Sequence, residues 1–535
     1  MLENLRRSYS TELKNAIILL IALSGLLAIH QLTRAVRSKS RKRIPGPLAF
    51  SLTKWRLAWE DWKGTRTRII HRLHQKYGSV VRVGPNEISF NSHAALRAIY
   101  GAGSTFGRPR SFYKIFDICG QPHMFTYQSS WEHSARKKIM SQMYSKSAVL
   151  RNPVADSIQR KAGQFLDLIE SDPDTASHLD KSLHYYALDN ITWMVYRDCG
   201  ATEALAGRTS DQHILSDIGE PTSRRLSWFQ IHFPRYTSWA MSCGASLKSA
   251  LNLVGCLPGK TPTAYSGLQK YALTIFNEYG QDKSRTLVNG GGVMDILLDK
   301  QSSMLGKDPI TDLEIATECA DHLDAGLKTT TDTLMFALWA LSLPCNKKFQ
   351  LHLKAEVDSI RESKPGVSSS EPVAPDMCDR LTFLDAVIKE TLRLYAPIPA
   401  SQPRVSSQDT VIEGYFVPAG TIVSCQAYSL HRNADIFPNP LKFDPDRWLA
   451  SEAEVAEMKR WWWPFSSGAR MCLGMHLAVA ELKTLLVAIY QNNSTTMTPE
   501  FVGLSPTATS RFELVYDDSF PISQGMECHI KFTRD

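Results

Sequence analysis

Residues 465–474 read Phe-Ser-Ser-Gly-Ala-Arg-Met-Cys-Leu-Gly, and the chain continues as MHLAVAELKTLLVAIY over 475–490. The continuation has the apolar and small-residue pattern of a buried helix, so Cys472 lies on a glycine-punctuated loop that enters a helix amino terminus. A thiolate is favoured there by the free amides of the first helical turn and by the Arg470 cation. Gly468 and Gly474 carry no Cβ, which lets a flat ligand approach the loop backbone. A lone cysteine in a turn is ordinarily a packing residue. Phe465, two glycines, a fixed cation and a thiol within ten residues form too specific a pattern for packing alone.

Working outward, the chain of 535 residues is 43% apolar and 21% charged, enough for a sizeable core. That excludes a peptide hormone, a small binding module and wholesale disorder. The nine other cysteines are scattered without a CxxC pair, as incidental thiols are in a reducing compartment. The formal charge is +8, but residues 1–43 hold nine Lys/Arg against two Asp/Glu, so the rest of the chain is nearly neutral. A nucleic-acid binder would carry its basic stripe on the folded domain, and no nucleic-acid partner is expected.

Four segments are expected. Residues 1–12 form a short tail, and 13–32 form an apolar helix just able to cross a bilayer. Arg34, Arg37, Lys39, Arg41, Lys42 and Arg43 follow, which by the positive-inside rule puts the remainder in the cytosol. No small-x-small cleavage site succeeds the apolar run, which favours an anchor over a signal peptide. Residues 33–47 are a basic linker ending in the stiff Ile44-Pro45-Gly46-Pro47 hinge, and 48–535 are one catalytic domain.

The loop at 465–474 resembles the Phe-x-x-Gly-x-Arg-x-Cys-x-Gly signature of the cytochrome P450 family, the haem-thiolate monooxygenases, with every fixed position present. The resemblance implies haem b with its iron axially bound by Cys472, whose thiolate pushes electron density onto the metal. It makes Arg470 a partner of a haem propionate, with Phe465 and Gly474 as further cofactor contacts. Glu390 and Arg393 in TFLDAVIKETLRLYAPIP match the family's Glu-x-x-Arg, and Arg447 in FDPDRWL matches the arginine that completes its buried network. Arg404 falls at a second propionate-binding place. In WEHSARKKIMSQMYS, His133 and Lys137 occupy the two matching places on the helix at the opposite haem edge, with Arg136 adjacent.

Residues 311–344 form a long helical pattern whose polar, glycine-interrupted middle suggests a kink. By resemblance this is the oxygen-activating helix, read here as Ala325-Gly326-Leu327-Lys328-Thr329-Thr330. Thr329 matches the hydroxyl that assists oxygen activation, and Gly326 leaves room for oxygen. The family's acid is replaced by Lys328, an ammonium that cannot take over its proton-gating part. Asp324, one turn earlier, is in the favourable order for a helix pair with Lys328, so the two together offer a rerouted proton path; otherwise Lys328 bonds elsewhere and Thr329 suffices.

The resemblance covers roughly 45–535 and implies a mainly α fold with small β-sheets, the cytochrome P450 fold, as a single haem domain behind an N-terminal transmembrane helix. Strand-like stretches such as SVVRVGPNEISF and EGYFVPAGTIVSCQA are few. Apolar groups in 110–126 and 222–245, among them Phe112, Tyr113, Phe116, Met124, Phe125, Trp228, Phe229, Phe233 and Trp239, suit a lipophilic substrate. The motif wording is similar to fungal members that tailor secondary metabolites. No flavin or nicotinamide module is read in the chain, so electrons are expected from an NADPH-cytochrome P450 reductase, with cytochrome b5 as a further donor, at the cytosolic face of the endoplasmic reticulum membrane. Two alternatives stay open: oxidative ring closure, coupling or isomerisation without net oxygen insertion, and a haem sensor or carrier without turnover.

Overall fold

A computed structural model of the chain describes residues 44–216, 222–256, 266–280, 291–303, 310–363, 371–510, 513–523 and 527–535. The expected tail, anchor and most of the basic linker lie outside the described residues. Among the described residues no helix is long and apolar enough to cross a membrane.

Seven helices position the site: α1 (Trp55–Lys63), α2 (Ser130–Met140), α3 (Leu179–Tyr196), α4 (Thr222–His232), α5 (Asp312–Ser342), α6 (Thr382–Leu394) and α7 (Met475–Asn492). The centre is α5. Its start is set by a capping box, in which the Thr311 hydroxyl accepts the Glu314 amide at 3.2 Å and Glu314 Oε2 accepts the Thr311 amide at 2.8 Å. Its end is set by Pro344, which forces Leu343 into an extended conformation. Asp312–Ser342 is one continuous α-helix that runs through Gly326. The glycine serves helix packing: a Cβ there would lie 2.6 Å from Ile191 Cδ1 of α3. The small residue thus lets α3 and α5 approach.

The sheets are small. SVVRVGPNEISF folds as the antiparallel pair β1 (Val80–Gly84) and β2 (Glu87–Phe90), with Val80 opposite Phe90. β3 (Arg404–Val405) and β4 (Ile422–Ser424) complete the sheet in the order β1-β2-β4-β3, β4 running parallel to β2. The second strand-like stretch divides, because its Tyr415–Val417 pairs with Thr410–Ile412 in a separate sheet. One large apolar core, including Phe336, Trp339, Tyr395 and Tyr490, packs α3, α5, α6 and α7 together.

The Glu390–Arg393–Arg447 network forms as expected and is fully buried at Glu390 and Arg393. Arg393 Nε and Nη2 donate to the two Glu390 oxygens at 2.9 and 2.8 Å, and Arg447 Nε donates at 3.0 Å. Trp448 Nε1 and the Asp444 amide add donors at 3.0 and 2.9 Å. Burial alone would push the Glu390 carboxyl up, but Arg393 and Arg447 hold it below the usual range. Removing one member leaves buried charge without its partner. Glu390→Gln is expected to cost roughly 3–5 kcal/mol, read as a lower urea midpoint with unchanged slope; a change under about 1 kcal/mol would mean that the network is dispensable.

Candidate active site

Cys472 leaves the loop just before α7. Its amide donates to the Phe465 carbonyl at 2.9 Å, closing an eight-residue turn, while the Phe465 ring packs on Trp462 at 5.9 Å. Gly468 has φ +64°, and a Cβ there would lie 2.3 Å from the Tyr100 carbonyl oxygen. The fold therefore requires this glycine for a close approach of backbone to backbone, not for access by a ligand. Gly474 differs: nothing lies within 4 Å of the Cβ it lacks.

The Cys472 residue is solvent-accessible although protein packs around it. Burial raises the thiol above its ordinary value, while the Gly474 and Met475 amides and the Lys137 charge pull it back. Arg470, expected as the thiolate's cation, instead donates to the carbonyls of Tyr127, Gln128 and Ser129 at 3.0, 2.9 and 2.9 Å. Lys137 Nζ takes the place beside the loop, donating to the Ala469 and Met471 carbonyls at 3.0 and 2.7 Å.

Cations collect around this loop. His133, Arg404 and Arg470 are buried, and none of them or Lys137 forms an ion pair with a carboxylate among the described residues. Burial lowers His133 to about 3, with the Arg470, Arg108, Lys137 and Arg404 charges adding, and its Nδ1 has no hydrogen-bond partner. Burial and the Arg404 charge lower Arg470 to about 10. With His133 neutral, the positive groups here are the buried Arg404 and Arg470 and the half-buried Lys137, a set that suits a ligand with more than one anionic group. Arg108, which the sequence did not flag, belongs to this cluster. Arg136 does not: it turns to α5 and pairs with Glu318 at 3.3 Å and Glu314 at 3.5 Å.

On α5 the residues on either side of the centre are buried, but Ala325 is exposed and Asp324, Gly326, Lys328 and Thr329 are partly so. We read this accessible patch in the middle of a buried helix as the wall of a cavity. The Thr329 hydroxyl donates to the Ala325 carbonyl at 2.6 Å. Next to it, Thr330 donates to Glu481 of α7 at 3.3 Å, tying the two helices together. Lys328 acts on α3 and on its own helix: its charge reaches His184 and the buried Asp332, whose carboxyl burial raises to about 7 against the pull of Lys328. The aromatic groups divide as well. Phe112, Tyr113, Phe116 and Phe125 form one cluster near Arg108. Trp228, Phe229 and Phe233 instead pack on Trp55 and Trp62 of α1.

The two loop glycines give a paired prediction. Gly468→Ala is expected to destabilise the protein by more than about 2 kcal/mol through strain and clash, whereas Gly474→Ala changes stability by less than about 0.5 kcal/mol. Chemical unfolding of both variants checks this.

The profile of the cytochrome P450 family matches residues 45–509. Among curated proteins the chain is 27% identical to cytochrome P450 monooxygenase hkm5 of Aspergillus hancockii, over 84% of each chain. It is 28% identical to cytochrome P450 monooxygenase stcB of Emericella nidulans, over 85% of this chain and 82% of the relative. It is 26% identical to a pisatin demethylase of Fusarium vanettenii, over 85% of this chain and 83% of the relative. With a cysteine loop that keeps every fixed position and a match that runs through nearly all of the folded domain, the chain belongs to the cytochrome P450 family, the haem-dependent monooxygenases.

Proposed function

We propose that Cys472 would hold the iron of haem b through its thiolate and that the enzyme oxidises a lipophilic intermediate of fungal secondary metabolism. The observation that carries this reading is the pairing of an accessible thiol with Arg404, Arg470 and Lys137, cations that have no carboxylate partner among the described residues. The open side of Gly474 leaves room for a flat macrocycle, and the Gly474 and Met475 amides support sulfur charge. His133, Lys137, Arg404 and Arg470 would hold the propionates. When bound, the haem supplies oxygen activation at a thiolate-ligated iron.

The chain's own groups handle the proton. Thr329 offers its hydroxyl on the accessible face of α5, where it can pass a proton to a group in the cavity. Because the Lys328 charge draws down the carboxyl of the buried Asp332, we read Thr329 as sufficient and Lys328 as a counter-charge to Asp332, with an Asp324–Lys328 proton path as the alternative. Lys328 in the acid's place also favours a second reading, oxidative coupling, ring closure or isomerisation without net oxygen insertion. The Phe112–Phe125 cluster suits a lipophilic substrate, and the fungal relatives support a small molecule.

Electrons would come from an NADPH-cytochrome P450 reductase on the cytosolic face of the endoplasmic reticulum. The segment 13–32 is read as the anchor. Leu48, Trp55, Trp59 and Trp239 are all more than 40% exposed, and Trp55 stacks on Phe233 at 5.0 Å, which supports bilayer contact beside the point where that segment joins the domain.

The carbon monoxide difference spectrum of reduced, membrane-expressed protein tests the haem reading. A red-shifted thiolate Soret band is expected, and Cys472→Ser should abolish it; folded, haem-loaded protein without that band would refute the reading. With reductase and NADPH, Thr329→Ala is expected to raise peroxide release several-fold, and Lys328→Met to change it less than about two-fold. Equal uncoupling by both variants would give Lys328 the proton-delivering part.

A further inference from the structure

A second buried ionic cluster joins α5 to the loop at 108–128. His123 Nδ1 is 2.9 Å from Asp321 Oδ2, an ion-pair distance without hydrogen-bond geometry, and Nε2 is 2.8 Å from the Phe116 carbonyl. A carbonyl can only accept, so Nε2 carries hydrogen, and the carboxylate beside Nδ1 favours the imidazolium form of the ring. Burial alone would lower its pKa, but Asp321 raises it to about 9. One turn earlier, both Glu318 oxygens accept the Met124 amide at 3.3 Å, and Oε2 also accepts Arg136 Nη1 at 3.3 Å. Behind them His322 accepts the Tyr144 hydroxyl at 2.6 Å, and its Nε2 is 4.0 Å from Glu318.

Two carboxylates three residues apart, both buried, are expensive to keep in a helix. The thiol site does not use them. What they hold is the loop, which is folded around Arg108: its guanidinium stacks on Tyr113 and Phe125 and donates to the Met124 and Phe125 carbonyls. This aromatic lobe touches α5 through His123 and Met124. Asp321, Ala325 and Thr329 recur every fourth residue and share one helix face, so the fastening point continues the accessible wall of the cavity.

We propose that Asp321 and Glu318 are positioning residues for substrate admission: with His123 they latch the aromatic lobe 108–128 onto α5, and the lobe opens when the latch is lost. This rests on reading the cavity beside Thr329 as the substrate space. The charged groups facing His123 are Asp321, Glu318 and His322 from α5, Arg108 from the lobe and Arg136 from α2. A His123 pKa raised by Asp321 means that its share of the latch is fully present below the ordinary histidine value and is lost as pH rises through about 9. Burial and the Asp321 charge raise Glu318, so its ionisation loosens the latch in the same direction. In Asp321 burial is outweighed by His123, which holds it low, so that group fails only in strong acid.

The test uses detergent-solubilised holoprotein. Hydrogen exchange is followed over the lobe, and association of imidazole and of the bulky azole clotrimazole is followed by Soret shift. Asp321→Asn should speed exchange of the lobe amides, but not those of α7, by about ten-fold, the effect of about 1.4 kcal/mol. It should speed clotrimazole association several-fold while leaving imidazole within about two-fold, and Asp321→Glu should restore both. Wild type should take up clotrimazole faster at pH 9 than at pH 6.5, and His123→Gln should be flat over that range. Should Asp321→Asn not fold, the Asp321→Glu and wild-type pH series decide. Unchanged lobe exchange, or equal acceleration of large and small azoles, would overturn the latch. Loss of the carbon monoxide signature in wild type would strike the haem reading alone, because exchange reports on the lobe without it.

Discussion

One buried carboxylate holds the cysteine loop in place from a distance. Glu390 on α6 collects donors from Arg393, Arg447, Trp448 and the Asp444 amide. The spare Arg393 hydrogens go to the carbonyls of His431, Pro440 and Lys442 at 2.9, 2.7 and 3.1 Å. His431 carries the constraint onward. Burial and the Arg393 charge hold it near 3, so it is neutral. Its Nδ1–H donates to the Arg393 carbonyl at 3.0 Å and its Nε2 accepts the Trp463 amide at 2.7 Å. Trp462 Nε1 adds a bond to the Lys389 carbonyl at 3.0 Å. The entry to the 465–474 turn is thereby fixed to α6 on both sides of one peptide, and a small shift in the network would displace the thiol.

Electrostatics divides α2 into two working faces. Arg136 and Lys137 are neighbours in sequence but about 100° apart on the helix. Lys137 therefore reaches the loop carbonyls beside Cys472, while Arg136 reaches Glu318 and Glu314 on α5. One short helix joins the cationic side of the cavity to the acidic stretch of α5. Thr330 and Glu481 make a second tie, between α5 and α7, so both walls of the cavity are braced by polar bonds within an apolar core.

Local pattern made much of this legible. The cysteine turn, the helix after it, the long helix beginning at a capping box and the Glu390–Arg393 spacing are short-range features, and each is set by residues within a turn or two of one another. Less legible were roles that depend on what lies opposite. Gly326 and Gly468 are glycines because Ile191 and Tyr100 stand against them, and neither neighbour is near in sequence. Arg470 points to carbonyls at 127–129, and Lys137 rather than Arg470 serves the sulfur. The acidic series Glu314, Glu318, Asp321 within an apolar helix was a visible signal of a buried charge site, but its partner His123 comes from a distant loop.

The sequence by itself determined that this is a mainly helical protein with a cysteine presented at a helix start, a paired Glu-x-x-Arg helix and a long helix ending at Pro344. Periodicity, capping and proline act through bonds within one segment, so they can be read without the rest of the molecule. Only the tertiary structure decided which cations gather near the cysteine loop, which one is drawn to α5, and which carboxylates meet the 108–128 loop. Those choices depend on burial and on charges hundreds of residues apart, whose energies exist only once the helices have packed and excluded water.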